Sequence, residues 1–272
     1  MSDTNPYTGD IDTGNTRLKV HEGALSVGSH NIDVALGRTS STALWNKFGY
    51  NADVDVGTEV IASWGGSFTP LLTATTIRIA STDVNDVVAG TGCQIIVVYG
   101  INASREEAIE VFNMNGTTNV DSTSTWLGIN RVVMYLCGTG MINAGTINVT
   151  ELSGGGGSTM AQMPAGGGVT QQCIFHIPVN HTYVAEWIRI NLVNNNKNAA
   201  LTIKMWVYSA ISNGKQEVFR EQIDTLITND IVVSPALPFP VTESTVMWLE
   251  CTSDKADVSI NARFSGVLYE DE

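Results

Sequence analysis

The sequence predicts an all-β protein: two antiparallel β-sandwich (jelly-roll-like) domains behind an extended N-terminal arm. Three observations predict it. Charged residues are only 15% of the 272, well under the usual quarter, and Thr, Ser, Asn and 26 Gly take their place, a composition that suits sheets and turns better than helices. Apolar residues recur in short alternating runs rather than at helical spacing. Turn clusters separate those runs every eight to twelve residues or so, the rhythm of a sandwich or jelly roll.

Residues 1–55 are polar and Gly-rich and read as an extended arm. Leu44, Trp45, Phe48 and Tyr50 within it are large apolar groups that a solvated tail rarely carries, so this stretch is expected to anchor the arm on a partner surface. Residues 56–152 read as the first sandwich. Ile77 and Ile79 alternate with Arg78 and Ala80, and the β-branched run Ile95, Ile96, Val97, Val98 marks a strand buried on both faces. Ala108–Phe112, Ile129–Leu136 and Thr146–Leu152 continue the series, with Asn115-Gly116 as a tight-turn signal. Ser104-Arg105-Glu106-Glu107 has the form of a helix capping box, but the apolar β-formers after it favour a strand.

Residues 153–168 hold seven glycines around Met160 and Met163 and read as a flexible linker. Residues 169–272 read as the second sandwich. Val184, Ile188, Ile190 and Leu192 share one parity, with Trp187, Arg189 and Asn191 on the other. Leu201, Ile203, Met205 and Val207 oppose Lys204, Trp206 and Tyr208, while Val258, Ile260, Ala262, Phe264 and Leu268 line one face. Asn194–Asn198 reads as a polar hairpin loop between two of these strands, Gly138–Gly145 reads as another hairpin loop, and Val218–Ile227 is ambiguous between strand and helix.

The same residues limit the chemistry. A net charge of −13 repels phosphate backbones and anionic lipid, so neither nucleic acid nor membrane is an expected partner. Cys93, Cys137, Cys173 and Cys251 form no CxxC pair and read as buried thiols. Met1-Ser2-Asp3-Thr4-Asn5-Pro6 has neither the basic start nor the apolar core of a signal peptide, which fits synthesis in a reducing cytosol. His21, His30, His176 and His181 show no metal-ligand spacing, and no nucleophile elbow, P-loop or dinucleotide fingerprint is present. The expectation is therefore no catalytic residue, no cofactor and no metal. Asp53/Asp55/Glu59 and Asp83/Asn85/Asp86 are oxygen clusters of the kind that hold Ca²⁺, but without the glycine-punctuated twelve-residue loop the plainer reading is solvated turn carboxylates. Trp187, Trp206 and Tyr208 are read as projecting from adjacent strands onto one face. That face suits either a protein interface, the favoured reading, or the stacking platform of a carbohydrate-binding adhesin.

Several stretches carry a resemblance. Trp45-Asn46-Lys47-Phe48-Gly49-Tyr50-Asn51-Ala52-Asp53-Val54-Asp55, then Val60-Ile61-Ala62-Ser63-Trp64-Gly65-Gly66, resemble a pattern in structural proteins of tailed bacteriophages. Ile77–Thr82, Ala89-Gly90-Thr91-Gly92, Val98-Tyr99-Gly100-Ile101, Asn115–Thr118, Ile177–Thr182 and Phe264–Leu268 are similar too. The resemblance covers about residues 45–152 and 173–269. It departs from the pattern at Cys93 and Ile95–Val97, which replace a more polar segment, and at the tetraglycine. It implies a virion component made in the host bacterial cytoplasm: a non-enzymatic capsid decoration or cement protein, or else a neck, tail or fibre-adaptor piece. The implied partners are further copies of itself, as a trimer or ring, and the major capsid protein or neck and tail proteins. Assembly proteins need self-complementary surfaces rather than clusters of activated groups.

Overall fold

The structure is a computed structural model and describes residues 32–152, 157–195, 199–209, 211, 214–223, 231–233 and 239–271. Seventeen strands occur among them. In chain order they are β1 (Thr42–Val54), β2 (Gly57–Val60), β3 (Ile77–Ser81), β4 (Cys93–Asn102), β5 (Glu107–Asn113) and β6 (Val120–Asp121). Then follow β7 (Trp126–Cys137), β8 (Ile147–Glu151), β9 (Thr159–Met163), β10 (Ile174–His176), β11 (His181–Asn195) and β12 (Leu201–Ser209). The last are β13 (Gly214–Ile223), β14 (Ile231–Val233), β15 (Phe239–Val241), β16 (Thr245–Ser253) and β17 (Val258–Glu270). The strand pairings are antiparallel, so the all-β expectation holds.

Two sheets, β1-β17-β11-β14 with β15 on β11 and β10-β16-β12-β13 with β2 on β16, share one buried cluster. Ile188, Ile190, Ile260 and Phe264 enter it from the first sheet, and Ile203, Met205, Met247 and Leu249 from the second. A separate cluster (Ile77, Ile79, Ile96, Val98, Phe112, Trp126, Ile129, Ile147, Val149) joins the sheets β6-β3-β8-β9 and β5-β4-β7.

Two expected segments come out differently. Residues 1–31 lie outside the described residues, but the rest of the supposed arm is folded. A short helical turn over residues 32–35 leads to β1, which hydrogen-bonds along its length to β17, from Thr42↔Tyr269 to Val54↔Val258. Its inward positions are Trp45, Lys47, Gly49 and Asn51, so neither parity reads as apolar and the strand hides in the sequence. The supposed linker over 153–168 contains β9, paired to β8, with Met160, Ala161 and Met163 buried in the second cluster. Residues 153–156 lie outside the described residues. Burying two Met side chains offsets the entropic cost of ordering the glycines that follow, of which Gly166 and Gly168 take positive φ.

Both expected hairpin loops are crossovers. β11 and β12 lie in different sheets, as do β7 and β8. The parity expected for β11 also breaks, because Glu186 is an extra residue between the pairs Ala185↔Gly266 and Trp187↔Ser265. Upstream of this bulge Tyr183 and Ala185, not Val184, are the buried side chains. Ser104–Glu107 forms no helix: the Asn102 side chain accepts from the Ser104 and Glu106 amides and holds a turn with Arg105 at φ 64°. β13 settles 218–223 of the ambiguous segment as strand, and 224–227 lie outside the described residues.

A polar seam ties the two clusters together. The Asn130 amide donates to the His176 carbonyl (2.9 Å), while its oxygen accepts from the His176 amide (2.7 Å). Gln172 donates to the Ile129 carbonyl (2.8 Å), and buried Lys47 donates to the Asn130 carbonyl. Burial, with Arg131 nearby, pushes the Lys47 ammonium down to about 7, and burial, with Lys47 nearby, pushes His176 down to about 3.

Candidate functional site

The groups proposed from sequence do not gather into one site. Trp45 faces inward, stacked on Phe175 with centroids 4.9 Å apart, and Arg131 covers it at 5.6 Å. It is thus part of the seam, while Leu44, Phe48 and Tyr50 have the opposite parity and lie on the outer face of β1. Trp187 likewise parts from Trp206 and Tyr208, because β11 and β12 belong to facing sheets and turn their outer sides in opposite directions. The expected single aromatic row therefore does not exist. Trp206 stands opposite Trp248, with the Lys215 ammonium 4.0 Å from its ring centroid. Together with Tyr208, Trp64 and Phe68 it packs on Val60, Ala62, Ile174 and Val246. This is an internal interface: Phe68 meets His176, whose ring lies against Gly128 of β7.

The two acidic clusters are turn organisers. Asp86, fully buried, accepts from Ser81 Oγ (2.5 Å) and from the amides of Cys93 (2.6 Å), Ala144 (2.8 Å) and Gly145 (2.9 Å). Glu59 accepts from the Asn51 side chain and the Asp55 and Gly66 amides. These oxygens are thus turned to protein donors. The four cysteines are free thiols, and burial pushes Cys93, Cys173 and Cys251 up to about 12. At those values they are protonated and unreactive at neutral pH.

What the fold does assemble is a three-by-two grid on the outer face of β1, β17 and β11. One row reads Phe48, Arg263, Arg189 and the next Tyr50, Asn261, Asn191, each residue directly opposite its neighbour. Over it lies a groove of about 420 Å³. Trp187 sits one step along β11, with the Arg263 guanidinium 5.2 Å from its ring centroid. The sequence offered Phe48 and Tyr50 in one patch and Trp187 in another. It gave no sign that β1 would lie beside β17 and set two of them around an arginine.

A second surface is apolar. On the outer face of β5-β4-β7, Val111, Val97 and Val133 lie in line, flanked by Ile109–Tyr99 and by Ile95–Leu136. Ile109 is 65% exposed and Val111 60%. β5 is the edge of that sheet.

No known protein-family model matches the chain, and no curated protein does. Among solved structures, the infectious bursal disease virus Gt strain is 11% identical over 88% of this chain and 82% of that one, with a TM-score of 0.20. The VP2 subviral particle of the same virus is 12% identical over 85% and 77%, also at 0.20, and its T=1 particle 10% identical over 85% and 74%, at 0.18. At such TM-scores these likenesses carry no argument about fold or function.

Proposed function

We propose that this chain is a non-enzymatic structural protein of a tailed-phage virion, two jelly-roll-like sandwich modules that decorate or cement the capsid as a symmetric oligomer. The exposed apolar side chains Ile109 and Val111 on the edge strand β5 carry the reading. Contiguous Val and Ile side chains on an edge strand of a soluble acidic chain lose about 1.5–3 kcal/mol each when left in water, and a self-complementary neighbour recovers that. The resemblance of residues 45–152 and 173–269 to phage structural proteins supports the virion context. The seam between the clusters fits the same role, since a building block has to hold its shape under load.

The test is the mass of the purified protein in solution by light scattering, beside Ile109→Lys/Val111→Lys. A trimer or ring that becomes monomeric in the double variant, with the melting temperature kept, supports the reading. A wild-type monomer at tens of micromolar would refute it. Recovery of the chain in tail rather than head fractions would move the assignment to a neck, tail or fibre-adaptor piece.

A further inference from the structure

We propose that Cys93 and Cys137 are the site of an intramolecular disulfide, formed when the folded chain meets a disulfide oxidant such as oxidised glutathione. The two residues are direct partners across β4 and β7. They share no backbone hydrogen bond: the Cys93 amide donates to the Asp86 carboxylate (2.6 Å), and one step further along each strand the Gly138 amide donates to the Gly92 carbonyl (2.8 Å). In an antiparallel pair of this kind the Cα atoms stand about 4.5 Å apart with both side chains on one face, within the span of about 4.4–6.8 Å that a disulfide bridges.

The surroundings hold the pair in place. A Cβ on Gly138 would lie 2.1 Å from the Gly90 carbonyl oxygen, and one on Gly92 2.2 Å from Asp86 Oδ1, so the chain packs around the pair as closely as only glycine allows. The bulge at Gln94 turns Cys93 into the same buried cluster as Ile96 and Val98. The other two cysteines have no such arrangement: Cys251 stands opposite Ile203 and Glu59, and Cys173 is fully buried in the other cluster.

Access sets the order of events. Cys93 is sealed from solvent, whereas Cys137 is half-buried at the end of β7. The Cys137 thiolate attacks one sulfur of oxidised glutathione, giving a mixed disulfide and one glutathione thiolate. Cys93, inert on its own, then loses its proton to water and attacks the Cys137 sulfur held beside it, expelling the second glutathione thiolate. The two protein thiols give up two electrons and two protons, and these end on the two glutathione thiols. The bond ties the end of β4 to the end of β7. It needs no second copy and faces the cluster rather than the exposed Ile109 and Val111, so it stands or falls apart from the assembly reading.

The experiment incubates the full-length protein with oxidised glutathione and reads the intact mass and the linked peptides without reduction, beside Cys93→Ala and Cys137→Ala. The expected product is lighter by two hydrogens, joins residue 93 to residue 137, and melts about 5–15 °C higher, with dithiothreitol reversing the gain. Cys93→Ala should stop at a glutathione adduct on Cys137, and Cys137→Ala should leave Cys93 unmodified. Should either variant fail to fold, the peptide map of the wild type decides alone. A wild type that stays reduced, stops at the glutathione adduct, or links other cysteines overturns the proposal. So does a 93–137 bond that lowers the melting temperature, since the strands would then have to distort to make it.

Discussion

Lys47→Met is expected to stabilise the protein at neutral pH. Lys47 points inward from β1, is 3% exposed, and donates to the Asn130 carbonyl. Burial pushes its ammonium from 10.5 to about 7, so the folded chain gives up a proton that the unfolded chain keeps. The sign follows directly: between pH 7 and 10.5 the unfolded state binds more protons, and stability rises with pH. At about 1.4 kcal/mol per tenfold change, that interval spans about 5 kcal/mol, nearly all of it acting against the fold at pH 7. Methionine fills a similar volume without the amine. Its own cost is an Asn130 carbonyl left without that donor, about 1–3 kcal/mol. The net expectation is a variant about 2–4 kcal/mol more stable at pH 7, with the advantage shrinking steadily toward pH 10. Urea unfolding of both proteins at pH 7, 8, 9 and 10 reads this out, and taking the difference cancels the thiols and tyrosines that titrate in the same range. A variant less stable at pH 7, or a difference independent of pH, would show that the amine is charged in the folded seam and would refute the reasoning.

His176 works in the opposite pH range. Burial and Lys47 hold it down to about 3, against 6.5 unfolded, so stability contributed by the neutral ring is lost as pH falls from 6.5 toward 3, by up to about 5 kcal/mol. His176→Gln should flatten the fall in urea midpoint between pH 7 and pH 4; an unchanged slope counts against a neutral buried ring. Gly128→Ala should cost about 2–4 kcal/mol, because a Cβ there lands 2.1 Å from His176 Nε2 in a packed seam. Adding His176→Ala should return part of the loss, and strict additivity of the two changes would exclude their contact as the cause.

Much of the fold is visible in the sequence where burial and parity agree. β12 and β17 alternate cleanly because one face of each meets the shared cluster and the other does not. β1 escapes notice because its inner face carries a lysine and an asparagine that serve the seam, while Phe48 and Tyr50 face outward. β9 is masked by its glycine surroundings, although Met160 and Met163 were the clue to it. The crossover after β11 has the polar, turn-rich composition of a hairpin, and nothing local says whether a chain returns within its own sheet or passes to the facing one. Read as a hairpin, that loop sets Trp187 beside Trp206 and Tyr208; as a crossover it parts them. The grid of Phe48, Arg263 and Arg189 is illegible for a related reason: its members come from three strands far apart in the chain, and only the register of β1 on β17 brings them level.

The pairing of β1 with β17 also sets a timetable. β1, the first long strand among the described residues, can find its partner only after more than two hundred further residues have left the ribosome. Everything from β3 to β9 can collapse meanwhile around its own cluster. Loop closure across an already compact insert costs less entropy than across an open chain of that length. The central portion is therefore expected to mature during translation, and the flanking sheets to zip shut afterwards, in one late step that encloses Lys47 and His176 as it finishes.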